Sequence, residues 1–344
     1  MSKELLNTLF VMTQGSYVHL DNDTLRVESE GNTISRIPLH HLGSVVLFGR
    51  CMISPSAMSR CAEDGRTITF LDQNGRFKAR VVGPVTGNVL LRHAQYTAHS
   101  DDRLRCDIAR EFVAGKLQNC RANLLRAARE CKSGERSADL RVAAENTAPL
   151  IRALPDSPDL EYVRGMEGQG AAVYFDAFDS MILQQRTDFR FSGRNRRPPR
   201  DRINALLSFL YAMLANDCTS ALEGVGLDPQ LGFLHTIRSG RPALALDLME
   251  EFRPVMAERL ALTLVNLKQL KPSHFDLRPG GSVLLNDEGR KSVVVAYQKR
   301  KQEEVSHPLL KTKTPLGLVP HLQARLLARR IRGEAACYLP FIQR

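Results

Sequence analysis

LGFLHTIRSGRPALALDLMEEFRP, Leu231 to Pro254, is the stretch around which the chain is organised. A single histidine, His235, stands ahead of a glycine-containing turn. Asp247 follows twelve residues later, then Glu250 and Glu251. Read as a helix, the segment puts Asp247 and Glu250 at i,i+3 and Asp247 and Glu251 at i,i+4. Leu244, Leu246, Leu248 and Met249 would pack the same helix into a core. Carboxylates carried inward on an apolar helix cost free energy unless a cation or a proton compensates them. Imidazole with carboxylate oxygen is a mixed donor set that suits Mn²⁺ and tolerates Mg²⁺. The segment also reads as a capping arrangement with solvated glutamates, and both readings stay open at this point.

Outward from that stretch, the chain changes period once. Residues 1 to about 82 read as short strands: Thr8–Met12, Tyr17–Asp21, Thr24–Glu28, Thr33–Ile37, Ser44–Leu47, Thr67–Leu71 and Phe77–Val82, with turn formers between them. One helix interrupts, with Ser54 as N-cap, Pro55 at N1 and Gly65 past its end. His40 and His41 adjoin a strand, where neighbours face opposite sides, and are expected to be structural. Gly83-Pro84 marks the hinge region. From about Gly87 the period is helical, first in Arg103–Arg129 and Leu140–Leu154.

Four later stretches bear on chemistry. In LEYVRGMEGQGAAVYFDAFDSMILQQ (Leu160–Gln185), Glu167 lies among Gly165, Gly168 and Gly170, which permit close approach by a helix or a ligand. Tyr174 lies seven residues on and shares the face of Glu167. Arg186–Arg202 carries seven arginines, among them Arg190, Arg194, Arg196 and Arg197, interleaved with Phe189 and Phe191. It reads as a phosphate-contacting loop or a solvated one. Asn204–Leu214 is an apolar helix with Asn204 and Tyr211 on one face. Ser282–Leu285 and Lys291–Ala296 read as an inserted β-hairpin. A final helix, Pro320–Arg332, carries Arg325 and Arg329 on one face.

At 344 residues, two domains are expected: 1–84 β-rich, 85–344 mainly helical with the inserted hairpin, an α+β fold. No apolar run looks long enough to span a membrane, and MSKELLNTLF lacks a long apolar signal region, so a cytoplasmic protein is expected. Seven scattered cysteines without CxxC spacing read as reduced thiols. The net charge of +11 points to a polyanion, nucleic acid before membrane. Residues 1–98 hold 10 Lys and Arg against 8 Asp and Glu, and the remainder 38 against 29, so binding should concentrate in the second part.

Taken together, RGMEGQGAAVYF (Arg164–Phe175), NALLSFLYAML (Asn204–Leu214), GFLHTIRSGRPALALDLMEEFRP (Gly232–Pro254), YQKRKQEEVSHPLL (Tyr297–Leu310) and QARLLARRIRG (Gln323–Gly333) resemble the CRISPR-associated adaptation integrase and endonuclease family. The likeness covers almost the whole chain, and the tail is similar to that of type I-C members. The resemblance implies an enzyme that inserts short captured DNA duplexes (spacers) into a CRISPR array by 3′-hydroxyl transesterification. It implies Glu167, His235 and Glu250 as ligands of Mg²⁺ or Mn²⁺, with Asp247 as a further catalytic carboxylate. Many relatives have Asp where Glu250 stands. Tyr174, Asn204 and Tyr211 match positions close to the family's site. Arg190, Arg194, Arg196, Arg197, Arg238, Arg241, Arg325 and Arg329 are the candidate DNA contacts. A homodimer formed in part through the β-rich domain and a small adaptation partner bridging two dimers are also implied. A branched-DNA repair nuclease would use the same site, whereas a non-catalytic scaffold would need only the arginines.

Overall fold

A computed structural model describes residues 7–83, 89–195 and 197–343. Its first part holds β1 (Thr8–Val11), β2 (Tyr17–Asp21), β3 (Thr24–Ser29), β4 (Asn32–Pro38), β5 (Ser44–Phe48), β6 (Met52–Ile53), α1 (Pro55–Glu63), β7 (Thr67–Leu71) and β8 (Phe77–Val81). These strands make two four-stranded sheets, ordered β1-β5-β7-β8 and β4-β3-β2-β6. In the first sheet β1, β5 and β7 run parallel and β8 antiparallel. The second is a β2-β3-β4 meander with β6 added parallel to β2. The sequence strands match closely, and β6, two residues long, is the one they omit. Ser54 caps α1 as expected, its Oγ accepting from the Ala57 amide at 3.2 Å. His40 and His41 are not on a strand. They occupy a 3₁₀ turn with rings 4.0 Å apart, so the opposite-face argument does not apply to them.

β5 is buried on both faces, which is why it reads as an unbroken apolar run. Val45 and Leu47 join the core of the β-rich part, while Val46 and Phe48 join the core of the helical part. The Phe48 ring stacks on Phe209 with centroids 5.9 Å apart.

The larger part holds α2 (Val89–Ser100), α3 (Asp102–Glu130), α4 (Gly134–Ala153), α5 (Leu160–Asp176), α6 (Arg202–Val225), α7 (Ala243–Phe252), a π-helical turn (Arg253–Glu258) and α8 (Arg259–Asn266). Then come β9 (Phe275–Leu277), β10 (Val283–Leu285), α9 (Asp287–Gln302), β11 (Glu304–Ser306), β12 (Lys313–Pro315) and α10 (Val319–Ile331). Side chains of Asp101, Ser133, Asp159, Asp201 and Asn286 cap α3, α4, α5, α6 and α9. Each such cap is worth about 0.5–2 kcal/mol. The chain is thus a small β-rich region followed by a larger helical one. Pro84 and Gly87, the expected boundary, lie outside the described residues.

Two expectations need correction. The inserted hairpin pairs β10 with β9, upstream of it, and Lys291–Ala296 belongs to α9. Asn286, between the two expected strands, caps that helix, its Oδ1 accepting from the Gly289 amide at 2.9 Å. Val293, Val294 and Tyr297 are buried at helical spacing, so tertiary burial overrides the strand preference of the valines. In addition, α6 is long and apolar enough to cross a membrane by length and composition, but most of it is buried in the core.

Candidate active site

Three helices meet at one point. α3 packs between α5 and α7. Of the glycines in α5, Gly170 makes the close crossing: a Cβ there would stand 2.2 Å from a Leu117 methyl of α3. Gly165 and Gly168 face open space instead. α5 brings Glu167 to the junction, 27% exposed at its side chain, and α7 brings Glu250, 1% exposed.

The segment before α7 brings His235, and its shape is over-determined. Asp247 Oδ2 accepts from the Phe233 amide at 2.5 Å and the Leu234 amide at 3.0 Å, and Oδ1 accepts from the His235 amide at 2.9 Å. The same Oδ1 lies 2.6 Å from His235 Nδ1. Only glycine fits at 232, because a Cβ would come within 2.7 Å of both Asp247 Oδ2 and the Ala243 carbonyl carbon. From the outside, Gln95 donates to the Asp228 and Leu231 carbonyls, Arg105 to Phe233 and Arg164 to Leu234. With Nδ1 engaged by Asp247, Nε2 is left to the site and lies 3.7 Å from Glu250 Oε1.

Glu167, His235 and Glu250 are therefore brought together. Asp247 is beside them but faces the His235 segment. Among the described residues, no three His, Cys, Asp or Glu side chains stand pre-assembled as a metal-binding set. What lies between the carboxylates is Lys116 of α3, itself buried. Its Nζ pairs with Glu167 Oε1 and lies 2.7 Å from Glu250 Oε2. That Glu250 oxygen is buried without an aligned hydrogen bond. Arg253 Nη2 lies 3.2 Å from Glu250 Oε1. Burial alone would push the Glu250 carboxyl up, but Arg253, Lys116 and His235 together hold it down to about 2. Burial would likewise pull the Lys116 ammonium down, and Glu250 and Glu167 reverse that and raise it. The residues are thus two carboxylates sharing one ammonium, with an imidazole nitrogen beside the second carboxylate. Their donor chemistry fits a hard divalent ion.

Below this point lies a second buried layer. Tyr211 donates to Glu258 Oε1 at 2.6 Å. Its ring is flanked by the guanidinium carbons of Arg194 at 5.3 Å and Arg253 at 5.0 Å. Burial pushes both the Glu258 carboxyl and the Tyr211 phenol up. Tyr174 is fully buried, its hydroxyl accepting from Asn123 Nδ2 at 3.3 Å. Asn204 is buried as well. Its Oδ1 accepts from Arg194 at 2.6 Å and from the Asn195 amide at 3.0 Å. These three side chains organise the walls of the site and leave little surface for a substrate.

The arginine-rich loop is pinned rather than loose. Phe189 and Phe191 are core residues, against Phe275 and Phe178. Arg186 donates to the Asp179 and Ile182 carbonyls and Arg202 to the Asp188 carbonyl. Arg190, Arg197 and Arg200 are exposed, and Arg196 lies outside the described residues. Arg238 is exposed and Arg241 partly so on the turn after His235. Arg325 and Arg329 are exposed on α10, which packs on the Glu251 side of α7 through Gln323.

Reading the sequence missed Lys116, Arg253 and Glu258. One signal for Lys116 was present: it lies four residues after Phe112 and four before Cys120, on the buried face of α3. The π-helical turn that carries Arg253 and Glu258 had no such mark, though such turns gather at functional sites.

Comparison with known proteins agrees across the chain. A family model described as CRISPR associated protein Cas1 matches residues 9–299. The chain is 57% identical over 340 residues to the CRISPR-associated endonuclease Cas1 1 of Moorella thermoacetica, covering 99% of each. Its fold is similar to that of a casposase bound to integration product, with TM-score 0.82 and 20% identity over 96% of this chain and 93% of that one. It is equally similar to a chain of a Cas6-RT-Cas1–Cas2 complex, with TM-score 0.82 and 24% identity over 100% of this chain and 36% of that one.

Proposed function

The chain belongs to the CRISPR-associated Cas1 family, a family of endonucleases, and from that premise we propose that it joins short DNA duplexes to a CRISPR array by 3′-hydroxyl transesterification. The observation that carries this reading is the meeting of Glu167 and Glu250 on the Lys116 ammonium, with His235 Nε2 3.7 Å from Glu250, at the junction of α3, α5 and α7. Those three residues would hold Mg²⁺ or Mn²⁺. A divalent ion there supplies polarisation of the target phosphodiester and stabilisation of the leaving alkoxide.

The chain's own residues do the rest. Asp247 fixes the His235 ring so that Nε2 faces the carboxylates. Arg253 compensates the buried Glu250 and keeps it ionised. The exposed arginines 190, 197, 200 and 238 offer phosphate contacts that hold a duplex without reading its sequence. The casposase bound to integration product and the Cas6-RT-Cas1–Cas2 complex, both alike in fold, support an integration reaction and a small adaptation protein as partner. In this reading the protein works in the cytoplasm, as a homodimer paired in part through the β-rich region, with that partner bridging two dimers.

Strand transfer tests the reading. The substrates are a supercoiled plasmid carrying a repeat array and a short duplex with free 3′-hydroxyls, with Mn²⁺ or Mg²⁺ and with or without the partner. Wild type should join the duplex at the array. Glu167→Ala should lose joining while retaining duplex binding. Joining by Glu167→Ala would overturn the site, and cleavage without joining by wild type would favour a repair nuclease.

A further inference from the structure

The cation at the centre of this site belongs to the protein. Lys116 is buried, and among the described residues its two ionic partners at close range are Glu167 and Glu250, the carboxylates assigned above to the divalent ion. We propose that Lys116 is the resident cation of the centre and that its displacement couples divalent-ion loading to the arrival of DNA. The inference rests on the metal-site reading above and adds a regulation to it.

The argument is one of charge and space. Glu167 and Glu250 are two carboxylates facing two cations, Lys116 and Arg253, so these four side chains offset one another as they stand. His235 is already paired with Asp247. A divalent ion entering without DNA adds two positive charges in a poorly solvated place and must move an ammonium off both of its partners. Close like charges in such a medium repel strongly. A phosphodiester changes both terms. It brings negative charge, and its oxygens accept charge-assisted hydrogen bonds from an ammonium. Lys116 can then turn to the phosphate, leaving Glu167 and Glu250 to the ion. By linkage, DNA must tighten ion binding by the same factor as the ion tightens DNA binding. Lys116 acts here through the ligands, as a positioning residue. It keeps the centre charge-balanced and folded while no substrate is present.

The test reads ion binding directly. Mn²⁺ titrations followed by electron paramagnetic resonance, with and without a short duplex, compare wild type with Lys116→Met. In wild type, duplex should tighten Mn²⁺ by about tenfold or more. Lys116→Met should bind Mn²⁺ about tenfold tighter than wild type without DNA, and duplex should add little further. Equal or weaker Mn²⁺ binding by Lys116→Met without DNA overturns the proposal. The variant leaves two carboxylates uncompensated, so thermal melting accompanies the titration. A variant that is unstable in chelator should gain far more melting temperature from Mn²⁺ than wild type does. A variant that Mn²⁺ does not restore also overturns the proposal. Lys116→Arg, which keeps the charge, should fold and retain the DNA requirement. Glu167→Gln separates the two readings. If it leaves the Mn²⁺ affinity of DNA-bound wild type unchanged, the ion is not at this site and both readings fall. If it abolishes that affinity while Lys116→Met behaves as wild type, only the lysine's role falls.

Discussion

Asp247 uses both of its oxygens on the segment that carries His235, accepting three backbone amides and facing the ring nitrogen. From spacing alone it looks like one more ligand, because a helix puts it three residues from Glu250. What spacing cannot show is that the backbone before α7 folds back onto it, a contact made possible by the missing side chain at Gly232. Asp247→Asn would replace one oxygen by an amide nitrogen facing N–H donors. We expect Mn²⁺ affinity to fall about 10- to 100-fold with duplex binding retained, as for other carboxylates behind a ligating histidine. Unchanged affinity in a Mn²⁺ titration would mean that the ring is oriented by other means. His235 and Glu250 were legible because one short segment holds both. Lys116 was not, because a lysine on an amphipathic helix reads as solvated, and its burial depends on carboxylates delivered by two distant helices.

The last residues of the chain brace the other side of α7. Glu251 lies next to Glu250 but faces away from Lys116, and its Oε2 accepts from the Phe341 amide at 2.6 Å. Its Oε1 accepts from the Tyr338 hydroxyl. Glu111 Oε1 accepts from the Tyr338 amide at 3.0 Å. Burial pushes Glu251 up to about 8 and Glu111 up to about 7. Both values lie above that of the unfolded chain, so the folded state holds protons that the unfolded state releases. The stability they contribute is fully present below the ordinary glutamate range and is lost as pH rises through about 7 to 8. Melting temperature should therefore fall between about pH 5 and about pH 9, and fall less in Glu251→Gln. Equal slopes for the two proteins would contradict this. At this scale the sequence misleads where local chemistry has two uses. Asn286-Asp287-Glu288 serves equally as a turn or as a cap with an acidic first turn, and burial of Val293, Val294 and Tyr297 decides for the helix.

Across the whole molecule, the order of a β-rich region before a helical one was plain from the change of period. The contact between the two was not. It is made by α6, whose Asn216 accepts from Thr69 at 2.9 Å and whose Glu223 pairs with Arg80 at 2.8 Å. The positive charge was also plain, but its division into structural and exposed arginines required the fold. Charge reversal at Arg190, Arg197 and Arg200 should weaken duplex binding and flatten the dependence of log K on log salt by about 2 to 3. Reversal at Arg202, which holds the Asp188 carbonyl, should instead lower stability. An unchanged salt slope in the first set would remove that loop from the DNA contact. The outer face of α5 completes this picture: Gly165, Gly168 and Ala172 are exposed there, and the two glycines meet nothing within 4 Å. Glycine and alanine have no rotamers to freeze. Whatever settles beside Glu167 therefore freezes no rotamers at those three positions, and the ordering cost on this face falls on exposed Gln169, so orienting the newcomer is left to that glutamine and to the arginines farther out.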